Sequence, residues 1–331
     1  MSAAALPSTG MPAMSVVLAT DTWNTILPVI NRLNDLTTRR QLEIVLVMPA
    51  SQSKTIGAER LTDFASVRIV DVDSSIPLGA ARASGVRAAT APLVFIGETH
   101  SYPCSGMIEA LTEAHEAGWG VVVPSFANAN PDGAVSWAGF LAGYASWTDG
   151  KPAEELHSAP ILNVSYRLTF LLNLGDRLEQ ALSEGEDMMA ELRRAGERVR
   201  FEPAARIEHA NISFLAPLLH QRFLAGRVIA GTRSARWSAF RRLGYALASP
   251  LIPAVLLVRH RDGISRAIRR ERPPSGAAAV LVLCSVLQAA GEMVGYALGV
   301  PESVRKRYDD YEIRRLEDTR IRGNPRSHEL D

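Results

Sequence analysis

The chain has 331 residues, of which 47% are hydrophobic and 21% charged, and its formal net charge is +1. This composition excludes disordered, collagen-like and coiled-coil chains, and the length is sufficient for a large core. The near balance of 36 basic and 35 acidic residues predicts no nucleic-acid partner. The two cysteines, Cys104 and Cys284, form no disulfide framework, which favours a reducing compartment. The first fourteen residues lack a basic cluster followed by an apolar run, so no signal peptide is expected.

Short apolar runs alternate with helical patterns through the first third of the chain. Strands are predicted at 14–20, 42–48, 67–72, 93–96 and 120–124, and helices at 23–36, 77–89 and 104–117. Strands separated by helices of this length are typical of βαβ units. We therefore predict an α/β fold with a mainly parallel sheet flanked by helices. Ligands of such sheets bind beyond the carboxyl ends of the strands, so the residues that follow each strand are the first candidates for chemistry.

The second half of the chain has a different pattern. Residues 127–150 are rich in loop formers and suit a binding surface. A helix is predicted at 176–194, and two short strand-like pieces flank Pro203 between residues 198 and 209.

The composition then predicts four parts along the chain. These are a flexible start at 1–13, an α/β domain at 14–230, hydrophobic helices with an arginine-rich connector at 231–304, and a charged tail at 305–331.

The first candidate site is Gly97-Glu98-Thr99-His100, which directly follows a predicted strand. Glu98 and His100 are two residues apart, so in an extended segment their side chains point to the same side. A carboxylate and an imidazole are both ligands for a cation such as Mn²⁺ or Mg²⁺. An ordinary solvated strand end explains the tetrapeptide equally well.

The second candidate is Ser183-Glu184-Gly185-Glu186-Asp187, ahead of a helical run. Ser183 and Glu186 have the spacing of a capping box, which gives Glu186 a structural role. Asp187 either complements the helix dipole or acts as a general base that takes a proton from a hydroxyl. On residue type alone the structural role is favoured.

Three further patterns are weaker. The turn at 77–82 leads into a helix whose start could meet a phosphate, through Gly79 and Arg82. The segment 163–167 carries polar side chains where a plain strand is expected, at Asn163, Ser165 and Arg167. His209 ends a strand-like piece, and a single histidine is more often structural than a ligand.

The order of these patterns resembles that of the family 2 glycosyltransferases, which have the GT-A fold. The resemblance covers about residues 14–227, and its most specific stretches are PLGAARASGVRAATAPLVFIGETHSYP and EGEDMMAELRRAGERVRFEPAARIEH. It implies that Glu98 and His100 stand at the family's cation motif and that His209 reaches the metal or the diphosphate. It also implies that Asp187, of the pair Glu186–Asp187, is the catalytic base.

The same resemblance implies donor contacts at Gly79 and Arg82, and sugar or acceptor contacts at Asn163, Ser165 and Arg167. The chain departs from the family pattern at three motifs. Glu-Thr-His replaces Asp-x-Asp, Ala81–Gly85 lacks the usual asparagine, and no aspartate follows the second strand. Asp21, or Asp71 and Asp73, could hold the nucleoside instead, although ordinary turn residues are the favoured alternative.

The resemblance thus implies an inverting glycosyltransferase that moves a sugar from a nucleoside diphosphate donor to a hydroxyl. The acceptor would be a glycan or a lipid-linked molecule, and the hydrophobic C-terminal third of the chain favours the lipid-linked one. Mn²⁺ or Mg²⁺ would be the cofactor of this enzyme. The alternative function is that of a catalytically degenerate scaffold that binds nucleotide or glycan, which the altered motifs favour. A nucleotidyltransferase is less favoured, since Ala19–Trp23 is not a glycine-rich and basic loop.

Two nearly uncharged segments predict contact with a membrane. Residues 277–300 would form a helix of about 36 Å, enough to cross a hydrocarbon core of ~30 Å. Residues 243–258 are shorter and contain two prolines, which predict a kink. Six arginines and two acids lie between the segments, and two crossings would place them outside, against the positive-inside rule.

Gln288 and Glu292 also lie inside the longer segment, where exposure to lipid is costly. We therefore expect an enzyme on the cytoplasmic face of the cell membrane, with its arginines on anionic headgroups. Two buried helices of a soluble domain are the alternative.

Overall fold

The structure, a computed structural model, describes residues 11–183 and 185–320, and for Glu186 it describes the backbone only. Within these residues nine strands form one sheet. They are β1 (Met14–Ala19), β2 (Leu42–Pro49), β3 (Ser66–Val72), β4 (Leu93–Gly97), β5 (Ser101–Pro103), β6 (Val121–Asn128), β7 (Glu154–Leu156), β8 (Val164–Arg167) and β9 (Val199–His209).

The helices of the first two thirds of the chain are mostly short. They are α1 (Trp23–Asn34), α2 (Leu78–Ala88), α3 (Met107–Glu116), α4 (Ala134–Tyr144), α5 (Leu168–Asn173), α6 (Leu178–Ala181) and α7 (Gly185–Ala195). The later helices are longer, and they are α8 (Leu215–Arg233), α9 (Ala239–Ala248), α10 (Ile252–Glu271), α11 (Ala277–Leu298) and α12 (Glu302–Ile313).

The described chain divides into two compact units. The first contains residues 11–127 and 149–208, and the second contains 128–148 and 209–320. Within the second unit, α11 packs along α8.

The sheet has the strand order β3-β2-β1-β4-β8-β6-β9-β5, and β7 pairs with β9. The first four strands of this order, β3, β2, β1 and β4, are parallel to one another, whereas β8 runs antiparallel to both β4 and β6. The predicted α/β fold with flanking helices is confirmed. The sheet is mixed, however, and the parallel arrangement is established only for its first four strands.

Local sequence explains the parallel half. Every residue of β1 and all but Pro49 of β2 are buried, as expected of central strands covered on both faces. In α1, buried residues recur at helical spacing from Trp23 to Leu33, and the Thr22 side chain accepts the N–H of Thr25 at the helix start. A Cβ added at Gly85 would collide with Val17, so this glycine lets α2 lie close on β1.

A buried carboxylate joins the strands of this half. Glu43 of β2 accepts hydrogen bonds from Ser15 of β1, from Arg68 of β3 and from Thr90, which precedes β4. Burial by itself raises the pKa of Glu43, but these hydrogen bonds outweigh it and hold the pKa below its usual value. The Glu43 carboxylate is therefore ionised in the folded protein at neutral pH.

Two predicted elements differ in the structure. The strand-like pieces around Pro203 form the single strand β9, in which β7 pairs with Val199–Phe201 and Pro203 lies beyond that ladder. The helix predicted at 176–194 is divided into a 3-10 turn, α6 and α7.

In the second unit, α8 and α11 touch through their backbones. A Cβ added at Gly226 would collide with the carbonyl oxygen of Gln288, and one added at Gly291 would collide with that of Phe223. The Arg222 guanidinium donates to Gln288 Oε1, and Gln288 Nε2 donates to Glu292 Oε1 at 3.2 Å. Gln288 and Glu292 of the apolar segment are therefore buried against α8.

By length and composition, two helical segments of the described residues could cross a membrane, at 239–271 and 277–298, which by itself is weak evidence. The first comprises α9, a 3-10 turn at Ser249–Leu251 and α10. Its prolines, Pro250 and Pro253, both lie in the first turn of a helical piece, where a missing N–H costs little.

Candidate metal centre

Three predicted ligands meet at the sheet. Glu98 and His100 follow β4, and His209 is the last residue of β9. One ligand atom from each lies within 4.8 Å of the other two, and all three side chains are buried. We call this set the metal triad.

The donor set and its spacing fit a divalent transition metal. Glu98 Oε2 and His100 Nε2 are 3.7 Å apart, a separation that two ligands on one ion adopt when each bond is about 2.1 Å. One carboxylate with two imidazoles is a known ligand set for divalent first-row metals. Because imidazole suits softer ions than carboxylate does, the second histidine favours Mn²⁺ over Mg²⁺.

Asn211 determines which nitrogen of His209 carries the proton. Asn211 Nδ2 donates to Asn128 Oδ1 at 2.9 Å and to the His209 carbonyl at 2.8 Å. Asn211 Oδ1 is thereby the acceptor that lies 3.0 Å from His209 Nδ1. His209 Nδ1 therefore carries the proton, and Nε2 bears the lone pair that a metal needs.

A second amide orients Glu98. Asn163 Nδ2 donates to Glu98 Oε2 and to Ser101 Oγ, and Ser101 Oγ donates to the same carboxylate oxygen at 3.1 Å. The antiparallel register of β4 and β8 places Asn163 there, because its N–H donates to the Ile96 carbonyl.

Asn163 also carries a buried acceptor without a partner. Its backbone is left-handed, with φ 56°, and asparagine is among the few residues that tolerate this conformation. With Nδ2 committed to Glu98, Oδ1 points elsewhere, and it has no hydrogen-bond partner among the described residues. A buried carbonyl oxygen in this state can accept a hydrogen bond from a water molecule or a ligand.

The predicted base lies at the start of α7. Asp187 is half-buried, and its Oδ2 accepts a hydrogen bond from Gln180 Nε2 at 2.9 Å. The predicted capping box differs in the structure, because α7 begins at Gly185 and the Ser183 hydroxyl donates to the Glu179 carbonyl. The Glu186 side chain lies outside the described part of the chain. Asp187 is not one of the three residues of the metal triad.

The predicted phosphate contacts have structural roles at the α6–α7 connection. Arg82 is buried, and its Nη1 donates to the Leu182 carbonyl at 3.2 Å. A Cβ added at Gly79 would collide with Ser183 Oγ, so glycine is required for this close approach. Together they hold the first turns of α2 against the segment that leads to Asp187.

The remaining predicted residues lie in ordinary local structures. Asp21 accepts a hydrogen bond from Thr25, and Asp73 accepts two from Ser75, which hold the Asp73 pKa below its usual value. These contacts are those expected of turn and cap residues. Arg167 is half-buried at the end of β8.

Ser165 is fully buried, and its hydroxyl donates to His115 Nε2 at 2.9 Å, while His115 Nδ1 donates to the Trp119 carbonyl. Burial lowers the pKa of His115 to about 4, aided by the charge of Arg167 and opposed by the hydrogen bond to Trp119. Neither the Ser165–His115 hydrogen bond nor the role of Asn211 was predicted from the sequence. The only signal for Asn211 is its position two residues after His209.

No protein-family model matches the sequence, and no curated protein sequence matches it. Two solved structures are similar to the chain at 14% identity. One is a crystal structure of GalNAc-T7 with UDP, GalNAc and Mn²⁺, with a TM-score of 0.47, covering 61% of this chain and 44% of that one. The other is the mannosyltransferase PcManGT from Pyrobaculum calidifontis with GDP-Man and Mn²⁺, with a TM-score of 0.46, covering 93% and 89%. The chain spans less than half of the first, and likeness at this level supports no conclusion about function.

Proposed function

We propose that the chain is a metal-dependent glycosyltransferase with a GT-A-like fold, related to family 2, that moves a sugar from a nucleoside diphosphate donor to a hydroxyl. The observation that carries this proposal is the metal triad. The motif order of the sequence assigned Glu98, His100 and His209 to one cation, and the folded chain gathers these residues although His209 is remote in sequence. The proposal does not depend on the two solved structures, which contain UDP or GDP-Man with Mn²⁺.

The triad would hold Mn²⁺, which when bound supplies positive charge for a leaving diphosphate. Arg82 at the start of α2, with Gly79 beside it, would add charge and backbone N–H groups on the donor side. Asp21 and Asp73 would hold the nucleoside, in place of the aspartate that family members carry after the second strand.

Asn163 is the residue we assign to the transferred sugar. Its Oδ1 is buried without a partner and can accept a hydrogen bond from a sugar hydroxyl. Of its two neighbours, Ser165 is already bonded to His115, so a sugar contact there would require breaking that bond. Arg167 is left as a weaker acceptor candidate.

Asp187 would act as general base and take the proton of the acceptor hydroxyl as its oxygen attacks the anomeric carbon, with inversion. The hydrogen bond from Gln180 holds its carboxylate in one orientation. The acceptor would be a glycan or a lipid-linked molecule at the cytoplasmic face of the membrane. A catalytically degenerate scaffold is less supported, because the altered Glu-Thr-His motif still contributes two of three gathered ligands.

A donor screen with the full-length protein tests this function. Nucleoside diphosphate sugars are supplied with Mn²⁺ and membrane extract, and release of nucleoside diphosphate is measured. Binding of Mn²⁺ alone is followed by electron paramagnetic resonance. The double variant E98A/H100A should lose both Mn²⁺ binding and turnover.

The matched control is E154A/H157A, which removes the same two side-chain types from exposed positions. It should keep both properties. Turnover that survives a chelator and the E98A/H100A change would contradict metal dependence. Nucleotide binding without turnover of any donor would instead support the scaffold.

A further inference from the structure

An apolar stripe is exposed on α9 and the first half of α10. It consists of six side chains that are between 49% and 88% exposed, namely Phe240, Leu243, Leu247, Leu251, Val255 and Val258. Their spacing of three or four residues places them on one helical face that continues through the 3-10 turn between the helices. We call this set the 240–258 stripe. Monomeric soluble proteins rarely expose a contiguous apolar surface of this length.

The opposite side of the same helices is packed on the second unit. Ala246 and Ser249 are buried, and so are Gly263 and Ala267 farther along. A Cβ added at Gly263 would collide with the Ala145 carbonyl, so α10 lies in close contact there. The 240–258 stripe is therefore the outward face of an attached helix rather than one side of a free one.

Aromatic side chains flank the start of the stripe. The rings of Trp237, Tyr245 and Tyr296 lie with their centroids 4.7 to 5.9 Å apart. The guanidinium of Arg241 lies 3.8 Å from the Trp237 centroid. Tyr296 is buried, whereas Trp237 is half-buried and Tyr245 is 45% exposed, and exposed tryptophan and tyrosine are enriched where protein meets the boundary between lipid and water.

Basic side chains follow the end of the stripe. Exposed arginines occupy five positions between residues 259 and 272, against two exposed acids, Asp262 and Glu271; the arginines are Arg259, Arg261, Arg269, Arg270 and Arg272. We call these five the arginine run. The stripe itself contains no acidic residue. Together, the apolar stripe and the arginine run are complementary to a surface that carries both apolar groups and negative charges.

We propose that the 240–258 stripe and the arginine run attach the protein in the plane of an anionic bilayer. The stripe would enter the boundary between headgroups and acyl chains, and the arginine run would contact the headgroups. A second copy of the chain would supply another apolar stripe, but residues 237–258 contain no acid to meet the arginine run. This inference names the surface behind the membrane association in the proposed function, and it rests on that association.

The attachment is in the plane because neither candidate helix suits lipid on all sides. In the most apolar part of the segment 239–271 only 11% of residues are buried, but Gly263 and Ala267 farther along α10 are buried against the protein, and the arginine run follows the stripe on the same helix. In the most apolar part of α11, 44% of residues are buried, and Gln288 and Glu292 are buried against α8. Exposed residues of α11, such as Val286 and Met293, add apolar surface to the same unit.

Vesicle flotation of the full-length protein tests this surface. The vesicles consist of phosphatidylcholine alone or of phosphatidylcholine with phosphatidylglycerol. We expect the wild type to partition preferentially onto the anionic vesicles. The variant L243Q/L247Q/L251Q should lose at least about tenfold in partitioning, because three apolar side chains no longer leave water.

The variant R269Q/R270Q/R272Q should lose the preference for anionic vesicles. The matched control is I69Q/L172Q/L215Q, which makes a similar apolar-to-polar change at three exposed positions outside the stripe. It should float like the wild type. Circular dichroism of each variant establishes that it is folded.

Several results would overturn the proposal. These are equal flotation of the stripe variant and the wild type, an equal loss in the control, or a stripe variant that changes only its oligomeric state in sedimentation. Resistance of the wild type to extraction by alkaline carbonate would show a spanning helix instead. The flotation assay contains no sugar donor and no metal, so a negative result in it is distinct from a negative result in the transferase assay.

Discussion

At the scale of single residues, the metal triad depends on the amides that orient it. Asn211 fixes the tautomer of His209 through the 3.0 Å contact with Nδ1, and Asn163 holds the Glu98 carboxylate. Partners of this kind set the direction and basicity of a ligand without touching the ion. Asn211 is therefore a positioning residue for the metal.

The variant N211A should weaken Mn²⁺ binding about 10–100-fold, the range typical for loss of such a partner. Titration of Mn²⁺ followed by electron paramagnetic resonance measures the change, and a thermal unfolding curve verifies the fold. N173A, at an exposed asparagine of α5, serves as the control and should bind Mn²⁺ like the wild type. Unchanged affinity in a folded N211A protein would contradict the assignment.

The second prediction at the scale of single residues concerns Asp187. D187N should lower turnover by about 10²-fold or more, as expected when a general base is lost. The fold should be retained, because an asparagine oxygen can still accept the hydrogen bond from Gln180. Steady-state kinetics measure turnover, and donor binding by calorimetry should stay nearly constant.

D176N replaces an exposed aspartate and provides the comparison. If D187N were as fast as D176N at equal stability, the base would lie elsewhere in the chain.

At the scale of elements, a buried histidine connects α3 to β8. His115 donates to the Trp119 carbonyl and accepts from Ser165. Its pKa is about 4 in the folded protein, chiefly because burial disfavours the charged ring, against about 6.5 in an unfolded chain. The unfolded chain therefore binds more protons between these values.

Stability from the neutral ring is fully present above pH of about 6.5 and is lost as the pH falls toward 4, by up to about 3 kcal/mol. H115Q should be less stable than the wild type near neutral pH but should lose less stability on acidification. Urea unfolding at several pH values measures both effects. H157Q changes an exposed histidine and should keep the wild-type pH dependence. An equal slope in H115Q and the wild type would contradict this account.

At the scale of the whole molecule, the second unit is built on contacts that no single segment can make. Arg222 of α8 satisfies Gln288 of α11, and glycines on both helices bring their backbones together. α12 adds contacts to α8, including Arg305 with Thr232 and His220 with Tyr311. The last quarter of the chain thus completes the core around α8.

A chain that ends at Arg242 should therefore aggregate, because it leaves the α8 face that α11 covers open to water. A chain that ends at Arg320 retains every described contact and should remain as soluble as the full-length protein. Sedimentation of both chains in the same detergent measures the difference. A soluble, monodisperse chain ending at Arg242 would show that α8 does not need this cover.

Much of the parallel half of the fold could be predicted from the sequence. The Val- and Ile-rich β2, the regularly spaced apolar residues of α1 and the apolar β4 are local patterns, and the structure places these elements within a few residues of the predicted bounds. Glu98 and His100 were likewise identified from their position after a strand. Such signals are strong because periodicity and capping act over a few neighbouring residues.

Strand pairing, the assembly of the metal triad and the packing of α11 depend on residues distant in sequence, so only the tertiary structure decided them. The two pieces around Pro203 form one strand, and the antiparallel β8 lies in the sheet that was predicted to be mainly parallel. Folding brought His209, which Asn211 orients, to Glu98 and His100, and it placed the Ser165 hydroxyl in a hydrogen bond with His115. Packing on α8 accounts for the polar residues inside α11. The physical reason is that local propensity states which face of an element is apolar, whereas only long-range contacts determine what that face meets.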